Sequence, residues 1–167
     1  MNPAIVDEFA RLWLEKGSVA WEPFAGHSSP NRSVDICALR RVRLIAYDIA
    51  PVDEMVVCAD STRVGPGEPI QGAIFNPPYI GTSPMSMEEG ELSVLGDDEY
   101  FDALRRTVSL IHDAMRSGKV CTVGRTVLVA GRRVYLDWLF ALLFLNAGFR
   151  FVAMLSSVPD WVVVLEK

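Results

Sequence analysis

The chain has 167 residues, half of them apolar, and its 21 acidic residues outnumber 16 basic ones to give a formal charge of −5. That is the size of one typical domain, with enough apolar side chain to bury a core. The acidic balance excludes a protein that grips phosphate backbones by overall charge alone.

Residues 4–16 set Ile5, Phe9, Leu12 and Trp13 along one helical stripe, which Gly17 ends. Residues 18–21 read as a first strand running into Glu22-Pro23-Phe24-Ala25-Gly26. Residues 27–31 then offer turn and N-cap side chains for a short helix to about residue 40. A second strand at 42–46 ends at Tyr47-Asp48, a third at 55–59 ends at Asp60, and a Gly- and Pro-containing loop at 61–71 leads to a fourth at 72–76. The polar stretch 80–97 has the length of a mobile lid.

Phe101, Leu104, Val108, Ile111 and Met115 predict a helix over 98–117, stopped by Gly118. A fifth strand is expected at 125–130, an apolar core helix at 135–147 and a sixth strand at 149–155. A tight turn at 158–160 leads to a last strand at 161–165. Strands alternating with helices predict a mostly parallel α/β sheet with helices on both faces, and the short turn makes the last two strands antiparallel. One domain spanning 1–167 is expected.

Cys37, Cys58 and Cys121 are odd in number and widely spaced, which predicts reduced, buried thiols of a cytoplasmic protein rather than a disulfide framework or a zinc site. No apolar run approaches the roughly 18 residues of a membrane span, and Asp7 and Glu8 stand where a secretory signal needs basic residues.

An open sheet binds its ligand at the carboxyl ends of its strands, and Glu22, Asp48, Asp60 and Asn76 all fall there. In Asn76-Pro77-Pro78-Tyr79 each proline fixes its own φ and holds the preceding residue extended, so two acceptors, the Asn76 side-chain oxygen and the Pro77 carbonyl, face outward. Two acceptors suit the two hydrogens of one planar NH2 group, and taking them leaves a more nucleophilic nitrogen. Tyr79 adds a flat face for stacking. The plainer reading is that Pro-Pro ends a strand; the acidic strand ends preceding it favour the first. Asp48 is placed to accept ribose hydroxyls and Asp60 an adenine N–H, while Glu22 beside the Gly26 turn suits a cationic amino or sulfonium group, or else caps the next helix.

Taken in order, these segments resemble the S-adenosylmethionine-dependent amino-methyltransferases, above all the DNA adenine-N6 and cytosine-N4 enzymes. Glu22-Pro23-Phe24-Ala25-Gly26-His27 is similar to their first motif, Asp48 to the second, Asp60 to the third and Asn76-Pro77-Pro78-Tyr79 to the fourth. The resemblance implies a Rossmann-like class I fold with a seven-stranded sheet whose last strand is reversed. S-adenosylmethionine would lie against Glu22, Phe24, Gly26, Asp48, Asp60 and Asn76, and Asn76, Pro77 and Tyr79 would act on the target nitrogen. Pro78, Tyr79, Trp161 and Arg132 would contact substrate, and no metal is expected. Arg132 and Arg133 read equally well as phosphate contacts and as exposed turn residues, and His27 reads as structural. Within this length no separate target-recognition region fits, so a specificity subunit or homodimer is expected to help hold a nucleic acid, DNA ahead of RNA. The alternatives are a protein glutamine amide as substrate or a non-catalytic partner subunit.

Overall fold

Short apolar runs separated by amphipathic stretches cannot bury their surface alone, and here they do so by stacking into one sheet with helices on either side. A computed structural model describes residues 3–26, 32–80, 92–129, 132–157 and 160–167. The chain runs α1 (Pro3–Trp13), β1 (Val19–Glu22), α2 (Arg32–Leu39), β2 (Arg43–Asp48), β3 (Val57–Cys58), β4 (Ile70–Phe75), a 3-10 turn (Leu92–Val94), α3 (Asp97–Ala114) and β5 (Met115–Gly124). It continues through β6 (Thr126–Val129), β7 (Arg132–Tyr135), α4 (Leu136–Asn146), β8 (Arg150–Ser157) and β9 (Asp160–Glu166).

Seven strands pair in the order β3-β2-β1-β4-β5-β9-β8. The pairings from β3 to β5 are parallel, and β9 is antiparallel to both β5 and β8. The expected mostly parallel α/β sheet with a reversed last strand is therefore the observed one. Successive side chains on a strand point to opposite faces, and the core divides accordingly. Ile74, Cys121, Val123, Val162 and Val164 pack with Ile5, Val6 and Phe9 of α1 and Cys37 of α2. Ala73, Phe75, Val120, Val163 and Leu165 pack with α3 and α4 through Leu104, Val108, Ile111, Phe140 and Phe144.

Three expectations need correction. Residues 115–117 are not the last turn of a helix: α3 stops at Ala114 and Met115, extended at φ −105° and ψ 117°, opens β5 directly. Met115 lies four residues after Ile111 and mimics a continued helical stripe, but it pairs with Ile70 of β4. The expected fifth strand at 125–130 is not in the main sheet. It is the first half of a separate hairpin, β6 with β7, and its place in the sheet is taken by β5, whose Val120, Cys121, Thr122 and Val123 are buried. The third strand shrinks to Val57–Cys58, both exposed at the sheet edge. The expected lid lies largely outside the described residues, as do residues 158 and 159 of the tight turn.

At the end of β5 the chain leaves the sheet because α4 packs directly on it. A Cβ on Gly124 would lie 2.4 Å from the Asp137 backbone nitrogen and 2.6 Å from its Cα. Gly124→Ala must push the start of α4 off the strand, and overpacking of that kind costs about 2 kcal/mol. The thermal midpoint followed by circular dichroism is expected to fall by roughly 4 to 8 °C; an unchanged midpoint would show that α4 yields at no cost.

Candidate functional site

Parallel pairing carries the polar strand ends to one edge of the sheet. Glu22, the last residue of β1, is level with Ala46 of β2, so Asp48 lies just beyond it. Asp48 is level with Cys58, and Asp60 follows shortly after. On the other side of β1, Trp21 is level with Ala73, so Asn76 also stands just past Glu22. The four residues singled out from sequence thus share the carboxyl edge.

The loop after β1 is tied to the end of β2. The Ala25 N–H donates to the Tyr47 carbonyl at 2.9 Å, and the Gly26 N–H donates to Asp48 Oδ2 at 2.9 Å. Gly26 has φ +76°, a conformation costly for any residue with a Cβ. Asp48 Oδ1 accepts the Ala50 N–H at 2.9 Å, and each carboxylate oxygen keeps further lone-pair capacity. Phe24 sets its ring edge-on to Phe75 at 5.6 Å, which links this loop to the end of β4.

Glu22 is buried, only 1% exposed. Its Oε1 accepts from the Ser33 hydroxyl in the first turn of α2 at 3.3 Å, and its Oε2 has no hydrogen-bond partner among the described residues. Burial pushes the carboxyl up to about 8; the Ser33 hydroxyl opposes this and the neighbouring Asp48 charge adds to it. Asp60 caps its own turn: Oδ1 accepts the Thr62 N–H at 2.9 Å and the Thr62 hydroxyl at 2.7 Å, while Oδ2 pairs with Arg63 at 3.2 Å.

In the 76–79 segment, the Tyr79 hydroxyl donates to Asn76 Oδ1 across a long 3.4 Å. The buried Tyr100 hydroxyl of α3 donates to the Pro78 carbonyl at 2.8 Å, which anchors the segment from beneath. Burial, with Tyr79 nearby, raises the Tyr100 phenol above its ordinary value, so it stays a donor. The Tyr79 ring lies near-parallel to Phe140 of α4, with centroids 6.4 Å apart. The guanidinium of Arg125, first residue after β5, sits over the same ring at 5.3 Å. An incoming aromatic plane therefore meets Arg125 as well as Tyr79.

Trp161 is 41% exposed and pairs directly with Gly124, so it flanks the end of β5 on the side away from Asn76. Arg132 pairs with Val129 near the hairpin tip, and Arg133 is exposed one residue further along. His27 lies outside the described residues. Sequence reasoning missed Tyr100 and Phe140, which present themselves as ordinary residues of helices, and Arg125, which reads as the opening of a strand. All three cysteines are free. Cys37 and Cys121 are buried and burial, with Glu22 nearby, raises both thiols, Cys37 to about 12. Cys58, expected buried, is exposed because β3 is short and at the edge. Among the described residues no helix is long and apolar enough to cross a membrane.

Many solved structures share this architecture, three of them as follows. TrmN from Thermus thermophilus superimposes with a TM-score of 0.62 at 15% identity, covering 100% of this chain and 49% of that one, so this chain spans about half its length. A candidate rRNA-methylase from Clostridium thermocellum gives 0.60 at 13% identity over 96% and 94% of the two chains. The N-methyltransferase NodS from Bradyrhizobium japonicum, in complex with S-adenosyl-L-homocysteine, gives 0.63 at 11% over 97% and 85%. This is the Rossmann-like methyltransferase fold. No protein-family model matches the sequence, and no curated protein matches it significantly.

The Glu22 carboxyl sets a pH dependence. With a folded value near 8 against about 4.5 unfolded, the fold keeps this proton while the unfolded chain loses it. Its contribution to stability is complete below about pH 4.5 and is lost as pH rises toward 8. Glu22→Gln is expected to gain stability relative to the native protein between pH 5 and pH 8, by a few kcal/mol in order of magnitude. Urea unfolding at the two pH values checks this; a constant difference would mean that Glu22 is ionised in the fold.

Proposed function

We propose that the protein is an S-adenosylmethionine-dependent N-methyltransferase acting on an exocyclic amino nitrogen of a nucleobase, adenine N6 or cytosine N4. The observation that carries this reading is the shared edge: the buried Glu22 carboxyl, with one oxygen unpartnered among the described residues, the Asp48-bound Gly26 turn and the Asn76–Tyr79 segment all end neighbouring parallel strands. A buried carboxyl with one oxygen unpartnered among the described residues, which an incoming positive charge would drive to release its proton, fits the cationic end of S-adenosylmethionine. Asp48 has lone pairs left for ribose hydroxyls, Phe24 and Gly26 line the turn between, and Asp60 is assigned the adenine edge. When bound, the cofactor supplies a methyl group on a positively charged sulfur.

The chain's own part is orientation and charge. Asn76 Oδ1 and the Pro77 carbonyl take the two N–H bonds of the target, which directs the nitrogen lone pair at the methyl carbon and supports the positive charge that develops. Once methylated, the nitrogen held between these two oxygens would shed one proton to solvent. Tyr79 and Pro78 hold the plane of the base, with Tyr100 keeping the Pro78 carbonyl in position.

Calorimetric titration is expected to show S-adenosylmethionine binding to the native protein and at least tenfold weaker binding to Asp48→Ala; no binding to the native protein removes the proposal. Asn76→Ala is expected to abolish transfer while cofactor affinity stays within a few-fold. Loss of both together would mean that the division of labour is misassigned. Incubation with methyl-tritiated cofactor and cell extract separates the substrates: label released by DNase or RNase supports a nucleobase, and label released only by protease transfers the activity to a protein amide.

A further inference from the structure

We propose that the β6–β7 hairpin is a polynucleotide-binding arm that lays a single strand of nucleic acid across the carboxyl end of β5 toward Tyr79. This rests on the nucleobase reading above. The strand-forming run at 126–129 is not used in the main sheet but is folded into a two-stranded ribbon that leaves it at Arg125, the residue whose guanidinium covers Tyr79. From Arg125 to Leu136 the sequence carries three arginines and no acidic residue, on a chain whose net charge is −5. A polyanion finds here a locally positive approach that the rest of the composition opposes.

The hairpin's register makes its two faces different. Val127 pairs with Val134, and both are partly buried against the α3–α4 core. Thr126 and Tyr135, paired on one side of them, belong to the other face, as does Arg133 on the other side, and there Tyr135 is 53% exposed and Arg133 is exposed. Trp138, 45% exposed in the first turn of α4, and Trp161, beside Gly124, flank the base of the ribbon. Exposed aromatic rings interleaved with arginines suit unpaired bases stacked between phosphate contacts better than a closed duplex, whose bases offer no free face. The arm supplies, within this chain, a hold on nucleic acid that the sequence assigned to a partner subunit or homodimer.

The test is fluorescence anisotropy with labelled 12-nucleotide probes of mixed sequence, one single-stranded RNA, one single-stranded DNA and one DNA duplex, over a range of salt concentrations. Three proteins are compared: native, Arg133→Glu and Tyr135→Ala. Thermal midpoint and cofactor affinity serve as folding controls. The native protein is expected to prefer a single strand to the duplex, and the RNA and DNA arms identify which strand it takes. Arg133→Glu is expected to weaken that binding at least tenfold at low salt and to lower the salt slope by about 0.7 for the lost phosphate contact. Tyr135→Ala is expected to cost about tenfold with the slope unchanged, as removal of one stacking partner does. Equal binding by all three proteins, preference for the duplex, or no binding by the native protein overturns the inference. The tritium experiment keeps the two proposals apart. Hairpin-dependent binding without label in nucleic acid sinks the nucleobase reading alone, whereas label in nucleic acid with normal binding by both variants sinks the arm alone.

Discussion

The parallel pairing of β1 with β2 on one side and β4 on the other is the constraint from which the rest of the site follows. Parallel strands run in one direction, so each chain segment leaving the sheet does so at the same edge. Glu22, Asp48 and Asn76 are far apart in sequence and become neighbours only because Trp21 is level with Ala73 and Glu22 with Ala46. A slip of one residue in either pairing would turn Ala20 and Trp21, both fully buried, toward the wrong face. Register and burial therefore enforce each other, and the site inherits the precision of the core.

The edge so formed is costly where it is most useful. Glu22 is buried beside Asp48 with one oxygen unpartnered among the described residues, and its burial raises its proton affinity and destabilises the ionised fold. Such a group is at odds with stability alone, and groups of this kind cluster at functional sites. Asp48, by contrast, is already engaged by the Gly26 and Ala50 amides, so it holds the turn in shape before any ligand arrives. The 76–79 segment is similarly held from below by Tyr100 and from the side by Phe140.

Arg125 connects this edge to the part of the chain outside the sheet. It follows Gly124, where α4 approaches too closely for any side chain, and it opens the β6–β7 ribbon. The start of α4 therefore does three things at once: it forces a glycine at the end of β5, sets Phe140 under Tyr79, and anchors the inner valines of the hairpin.

How much was legible in the sequence depended on the range of the interactions involved. The order of strands 1 to 4, their polar ends and the Asn76-Pro77-Pro78-Tyr79 segment were readable because proline geometry, helical stripes and turn residues act over a few residues. The identity of the strand beside β4 was not. Residues 120–123 and 126–129 are both short, β-branched runs, and local propensity does not rank them. The choice fell to packing: Val120 to Val123 bury on both faces between β4 and β9, while 126–129 finds its partner in 132–135. Likewise the sequence by itself determined that Glu22 and Tyr79 stand at strand ends, from spacing alone. Only the tertiary structure decided that one is desolvated with a serine hydroxyl on one oxygen and the other lies beneath an arginine, because desolvation and ring contacts are made by segments that chain order does not bring together.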